Sequence, residues 1–347
     1  MAIFHVDARS NRQFPFAETP TTSQLSFFTS EIRRERFLAG ILKWLMVNIS
    51  MFEPPQEDDV EADAPEVVLP DRSRKAFGEL GAALRLAHRV PALAKRPEIE
   101  ALRIAWLDMA ARRNIFFDAA RRIHLFPHRA VALSVIKELD RPAADIVDVL
   151  QEVLDRRWID RTERSAWHKL DLKYYFDAAG LRHVFPANRE LFEKSSLATL
   201  PALPYATRSD LYGVTHLVFH LGDFGRCDLQ KMGGRQRWLS LIDYVRGALA
   251  MCLHDRDFDL VAELMINRIC LGRTPDALDF EATEALCESQ DSSGFLPDLA
   301  WLAGIPAHGD LIQQEEAKFF AVYHPTVVGL FLVATDMDEQ RATQESI

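Results

Sequence analysis

Apolar residues recur at intervals of three and four along most of this chain, the period of a helix that buries one face. Glu31 to Ser50 is the first such segment, with Phe37, Ile41, Leu42, Leu45 and Ile49 on one stripe and Ser30 and Glu31 as its start. The period returns over 74–88, 98–115, 117–125 and 130–139, and Pro91, Pro97 and Pro127 mark the breaks. It continues over 143–158 and over 167–179, where Gly180 is the stop signal. Further helices are expected over 235–253, 258–271, 280–289, 296–304 and 312–334, the last divided at Pro325. Nothing up to Gly180 alternates like a strand. The fold expected is all-α, on the order of a dozen helices of ordinary length joined mostly by short loops. No fixed repeat period of the tetratricopeptide or HEAT kind is present. Helical hairpins closed into an α/α toroid around a central cavity are therefore expected, because inner helices of such a ring need one apolar and one functional face.

The stretch Tyr212-Gly-Val-Thr-His216-Leu-Val-Phe-His220-Leu-Gly-Asp223-Phe224-Gly225 has that two-faced character. At helical spacing Val214, Leu217, Val218, Leu221 and Phe224 share one side, and Tyr212, His216, His220 and Asp223 the other. A solvent face carries Lys, Glu, Arg and Gln, whereas this one carries groups that move protons or bind metals. His216 and His220 lie one turn apart, so both imidazoles could reach one divalent metal, with Asp223 a turn further on. Without a Glu directly after His216 this is not the metalloprotease pattern. The same groups read equally as a buried hydrogen-bond network, or as metal-free acid/base machinery. Gly222 and Gly225 suggest that the helix ends around Asp223-Phe224-Gly225.

His324 is the second candidate catalytic residue: it precedes Pro325, which biases it out of the helical region and puts the proline in the first turn of a buried helix. Asp257 and Asp259 precede the apolar segment Leu260 to Leu271, where capping and the helix dipole favour them. Glu263 sits within an apolar turn and, if buried, requires a partner such as Arg256 or a histidine.

Composition bounds the rest. With 48% hydrophobic residues the chain can bury a large core. A net charge of −10 without any long Lys/Arg cluster excludes nucleic acid as the main partner. Cys227, Cys252, Cys270 and Cys287 form no close pair, which argues for a reducing compartment and against a structural zinc site. Met1 to Gln13 lacks the apolar run of a signal peptide, and Val327 to Ala334 is too short to span a bilayer, so the expectation is a cytoplasmic protein without a membrane partner. A homo-oligomer is compatible with the sequence. The expected organisation is an N-terminal arm over 1–28, docking through its phenylalanines, and an N-terminal helical part over 29–165 with a mobile acidic loop at 53–70. A C-terminal helical domain over 166–336 carries the site, and 337–347 is a flexible tail. The pair Asp58-Asp59 in the acidic loop reads as solvated.

Two resemblances follow from these motifs. Gln290-Asp-Ser-Ser-Gly294-Phe295 is similar to the turns that link helices in the α/α toroids of terpene cyclases and protein prenyltransferases. Their acidic motifs are missing here, so prenyl chemistry does not carry over. More broadly, Trp167-His-Lys-Leu-Asp171, Tyr212-x-x-Thr215-His216 with Asp223-Phe-Gly225, Asp257-x-Asp259-Leu-x-x-Glu263, Gln290-x-x-x-Gly294 and Tyr323-His324-x-Thr326 resemble an uncharacterised bacterial family. That family is associated mainly with actinobacteria and with natural-product gene neighbourhoods. The resemblance spans Trp167 to Ala334 and implies a shared helical domain, with no established reaction or cofactor. The expected function is a tailoring enzyme, of isomerase, lyase/cyclase or hydrolase type, acting on a small molecule or peptide. Its cavity would use Tyr212, His216, Asp223 and His324, with His216, His220 and Asp223 as ligands if a divalent metal is bound. The alternative is a non-catalytic helical scaffold that holds a peptide or partner protein.

Overall fold

Helix boundaries follow local capping chemistry in the structure, a computed structural model that describes residues 26–56, 72–304 and 311–338 except positions 118 and 121. Most of the N-terminal arm, most of the acidic loop including Asp58 and Asp59, and the tail beyond Asp338 lie outside the described residues. Ser30 opens α1 (Glu31–Val47), its hydroxyl accepting from Arg33 N. There follow α2 (Arg72–Arg89), α3 (Pro91–Ala94) and α4 (Pro97–Arg112), the last two each beginning on a proline, whose missing N–H costs nothing in a first turn. Next come α5 (Phe126–Glu138), α6 (Ala144–Asp155) and α7 (Ala166–Ala179), which runs from the Ser165 cap to a left-handed Gly180 at φ 70°. After α8 (Asn188–Glu193), a reciprocal capping box between Thr207 and Asp210 starts α9 (Arg208–Leu221). The series ends with α10 (Gln230–Gly233), α11 (Arg235–Asp255), α12 (Phe258–Cys270), α13 (Ala277–Ser289), α14 (Leu299–Ala303) and α15 (Leu311–Asp336). No strand occurs among the described residues, and the fold is all-α.

Two helix expectations change. The described residues of 117–125 form turns and a single 3₁₀ turn at Ile123–Leu125, where the buried Arg129 guanidinium takes up the carbonyls of Ile115, Phe117 and Arg122 as donors would in a helix. Pro325 lies inside α15 and does not begin a new helix, so His324 is mid-helix. The Thr326 hydroxyl donates to Val322 O at 2.7 Å and accepts from Leu296 N at 2.9 Å, tying down the turn that the proline weakens.

Packing places the site. Helix α2 packs on α5, α5 on α7, α7 on α9, α9 on α12, α12 on α15, and α15 returns to α2. The intervening helices lie against members of this circuit: α1 on α15, α4 on α2, α6 on α5, α8 on α7, and α11 and α13 on α12. One hydrophobic core runs from Phe27 to Ala334 and joins the two expected parts of the chain. The Gln290 turn closes on α1, with Gln290 Nε2 donating to Phe37 O and Gly294 O and Phe295 buried. Gly294 is held at φ 109°, and any Cβ there would strike the Gly40 carbonyl. Helix α15 is long and apolar enough by composition to cross a membrane, yet 72% of its most apolar window is buried in the protein, as befits a core helix.

Candidate functional site

Helices of the circuit turn histidines and carboxylates toward a shared space, which Glu79 of α2 and His128 of α5 line as well. From α9 come His216 and His220, and from α7 comes Asp171, whose Oδ1 stands 2.5 Å from His220 Nδ1 and 3.5 Å from His216 Nδ1. From α12 come Asp259 and Glu263, and from α15 comes His324, whose Nε2 lies 3.4 Å from Asp259 Oδ1 and 3.6 Å from Glu263 Oε1. The two groups adjoin, since His216 Nε2 is 3.9 Å from Glu263 Oε1. In each triad, Asp171–His216–His220 and Asp259–Glu263–His324, one ligand atom per residue lies within 4.8 Å of the others, close enough to surround a cation.

The directions of these atoms matter more than the distances. Asp171 Oδ1, His216 Nδ1, His220 Nδ1 and Asp259 Oδ1 are all buried, and none has a hydrogen bond of acceptable geometry. His220 and Asp171 approach closely without meeting hydrogen-bond geometry, so charge attraction and not a well-formed hydrogen bond joins them. A buried polar atom left this way is costly unless something else satisfies it. The second triad is oriented from behind: His324 Nδ1 meets Glu79 Oε2 of α2 at 3.0 Å, which leaves Nε2 facing Asp259 and Glu263. A carboxylate on the far ring nitrogen is the usual support of a metal-ligating histidine. The Thr215 hydroxyl donates to Glu263 Oε2, and Tyr212 OH donates to Asp259 Oδ2, which Arg208 also reaches at 3.2 Å.

Charge follows from this crowding. Burial disfavours the Asp171 carboxylate, but His220 and His216 outweigh it and hold the group below the usual carboxylate range. Burial likewise opposes ionisation of Glu79, and the charge and hydrogen bond of His324 bring it down to about 2. Burial would lower His324, yet Glu79 and Asp259 hold it well above the ordinary imidazole value. His216 is also raised against the effect of burial, mainly by Asp171, whereas for His220 burial prevails and lowers it. Asp259 is raised by burial, while the His324 hydrogen bond and the His216 charge keep Glu263 low despite its burial. A cation entering this cavity would displace protons from His216 and His324.

The structure therefore brings His216, His220 and His324 together, as the sequence suggested, but not Asp223. The chain leaves the helix at Gly222, and Asp223 and Phe224 take left-handed backbone angles, φ 41° and 53°, so the carboxylate swings away from the histidine face. Asp223 Oδ1 instead accepts from Arg89 Nη1 at 2.9 Å and from Tyr174 OH at 2.7 Å. The Tyr174 ring stacks on His220 with centroids 4.6 Å apart, so Asp223 acts through tyrosine as a support. Asp171 takes the place expected for Asp223 beside the two histidines. Tyr212 faces Asp259 across the mouth of the cavity. Asp257 caps α12 as expected, but Asp259 is turned inward to the site. Glu263 is buried and has histidine neighbours, while Arg256 lies over the Phe258 ring.

An all-α protein with a histidine and carboxylate cavity at the meeting of six helices is the class that fold and site define. The chain belongs to a family described as Domain of unknown function (DUF6895), whose model matches residues 38–334. That span includes α2 and α5, so the family unit reaches well beyond the C-terminal portion where the motif resemblance lay. No curated protein and no solved structure matches the chain.

Proposed function

We propose that this protein is a metal-dependent enzyme that tailors a small molecule within the cavity, in secondary metabolism of the kind the family resemblance implies. Asp171, His216 and His220 would hold one divalent cation, and Asp259, Glu263 and His324 a second beside it. The observation that carries the reading is the clustering of one ligand atom per residue within 4.8 Å in each triad, with four of the buried ligand atoms, two on carboxylates and two on imidazoles, lacking a well-formed hydrogen bond. Nitrogen and oxygen donors without thiolate suit zinc, iron or manganese. Such an ion supplies a Lewis acid and lowers the pKa of bound water. Glu79 orients His324, Tyr174 steadies His220, and Tyr212 holds Asp259 while facing the entrance, where it could pass a proton to substrate. The closed packing circuit supports reading the helices as the inner ring of an α/α toroid.

Elemental analysis of protein purified without a His-tag tests this. The parent chain is expected to carry close to two equivalents of transition metal, Asp171→Ala about one fewer, and the double variant Asp171→Ala/Glu263→Ala almost none. A parent that stays metal-free after incubation with zinc, iron(II) and manganese, while correctly folded by circular dichroism, would falsify the reading.

A further inference from the structure

The histidines and carboxylates do not line a single uniform space. Asp171, Glu79, His216 and His324, with Lys75 and His128, border two cavities at once: a large vestibule and an inner pocket of about 240 Å³. The vestibule adds Arg72, Arg208, His168 and Tyr212 to its lining, groups at home in water. The inner pocket adds His220, Glu263 and Tyr175 on the belt side and, beyond them, Ala82, Val131, Ile266, Val328 and a run of phenylalanines. One wall is a continuous stack in which Phe219 lies 5.1 Å from Phe224 and Phe224 lies 5.6 Å from Phe331, with interplanar angles of 18° and 13°. Phe224 joins that stack from a left-handed backbone at Asp223 and Phe224, a conformation unfavourable for most non-glycine residues, with the Asp223 carboxylate held by Arg89 and Tyr174. A strained turn thus contributes to an apolar wall behind the polar belt.

Building on the metal reading above, we propose that the substrate is amphiphilic: an apolar group enters the inner pocket, and the polar function that reacts stays at the belt, facing the vestibule. A cavity of about 150 Å³ accepts benzene, so 240 Å³ suits a substituted ring or an alkyl chain of roughly six to eight carbons. Specificity for the tail then comes from burial of methylene groups, and Asp223 is a positioning residue for the tail pocket as well as for His220.

The test uses hydroxamates, which chelate a cation through a fixed head, with tails growing from methyl to octyl, titrated calorimetrically into metal-loaded protein. Affinity is expected to climb about fourfold per buried methylene up to a tail of about six to eight carbons and then to stop. Gly78→Leu tests the pocket directly, because the α2 backbone there faces open space and a Cβ would meet only Val131 Cγ1, at 3.6 Å. That variant should flatten the tail dependence while metal content and acetohydroxamate affinity stay unchanged; Val131→Phe serves the same purpose if the first does not fold. An affinity independent of tail length in metal-loaded parent protein overturns the proposal. Should the protein bind no metal, titration with 1-hexanol separates the two ideas: binding that Gly78→Leu removes keeps the apolar tail pocket and sinks only the metal reading, and no binding overturns the pocket too.

Discussion

Helix α12 carries two buried ionic clusters, and they are built on opposite principles. Toward one end, Arg268 Nε donates to Asp279 Oδ1 at 2.7 Å, and Nη2 reaches Asp279 Oδ2 at 2.5 Å and Asp276 Oδ2 at 2.9 Å. Asp279 also closes a capping box with Asp276 at the start of α13. Every charge there meets a donor or acceptor along its bonding direction, which is what a buried ion pair requires to be tolerated. About two turns away, Asp259 and Glu263 face His324 and His216 in a crowd where Asp259 Oδ1 and the nearby Asp171 Oδ1 lack any well-directed partner. Burial and charge type are alike in the two places. Completeness of hydrogen bonding is what distinguishes the cluster that holds helices together from the one the metal proposal rests on.

The comparison can be broken from either side. Removing Arg268, as Arg268→Ala, strands Asp279 in the core and should cost about 3–5 kcal/mol of unfolding free energy in urea titration, with metal content untouched. Chelation should act on the other cluster alone. Stripping metal from the parent protein is expected to lower its stability by about 2.7 kcal/mol for each site filled, relative to protein in a hundredfold excess of metal over Kd, and to leave Asp171→Ala/Glu263→Ala unmoved. If chelation destabilises both proteins equally, the unsatisfied atoms are not ligands.

The smallest effect concerns the support behind the histidines. Glu138 accepts from Arg89 Nη2 at 3.0 Å and Arg85 Nε at 3.1 Å, and although burial opposes ionisation, these two guanidinium groups lower its carboxyl pKa. A folded pKa below the unfolded one means stability that is present above the unfolded carboxylate value near 4.3 and is lost as pH falls. Glu138→Gln should therefore flatten part of the acid limb of the stability curve, by under about 1 kcal/mol because the side chain is partly open to water.

Much of the fold was legible because periodicity, prolines and caps agree: Ser30, Asp257 and Gly180 each act at the helix end where the sequence placed them. The histidine face of α9 was legible for the same reason. Asp223 was misplaced because extrapolating seven residues beyond His216 assumes a helix that in fact stops at Leu221, and the glycines on either side were the signal of that stop. Asp171 stood in a quoted motif but carried no local sign of its role, since its partners lie more than forty residues away. Glu79 was still less visible. It is one carboxylate in an ordinary amphipathic segment, and only the packing of α15 on α2 gives it a histidine.

That contact between α2 and α15 has a temporal side. Glu79 and His324 are 245 residues apart, and Asp336 reaches back to the Phe27 backbone at 2.8 Å, so the circuit of helix contacts is closed by some of the most distant pairings in the chain. Closing so long a loop is slow and gains nothing until both ends have docked. During synthesis at about 5–20 residues per second, Asp171, His216 and His220 emerge and can pack several seconds before His324 exists. If the two triads hold cations as proposed, the first is complete before the second is made, so one ion would load on the growing polypeptide and the other only after the last long helix has emerged.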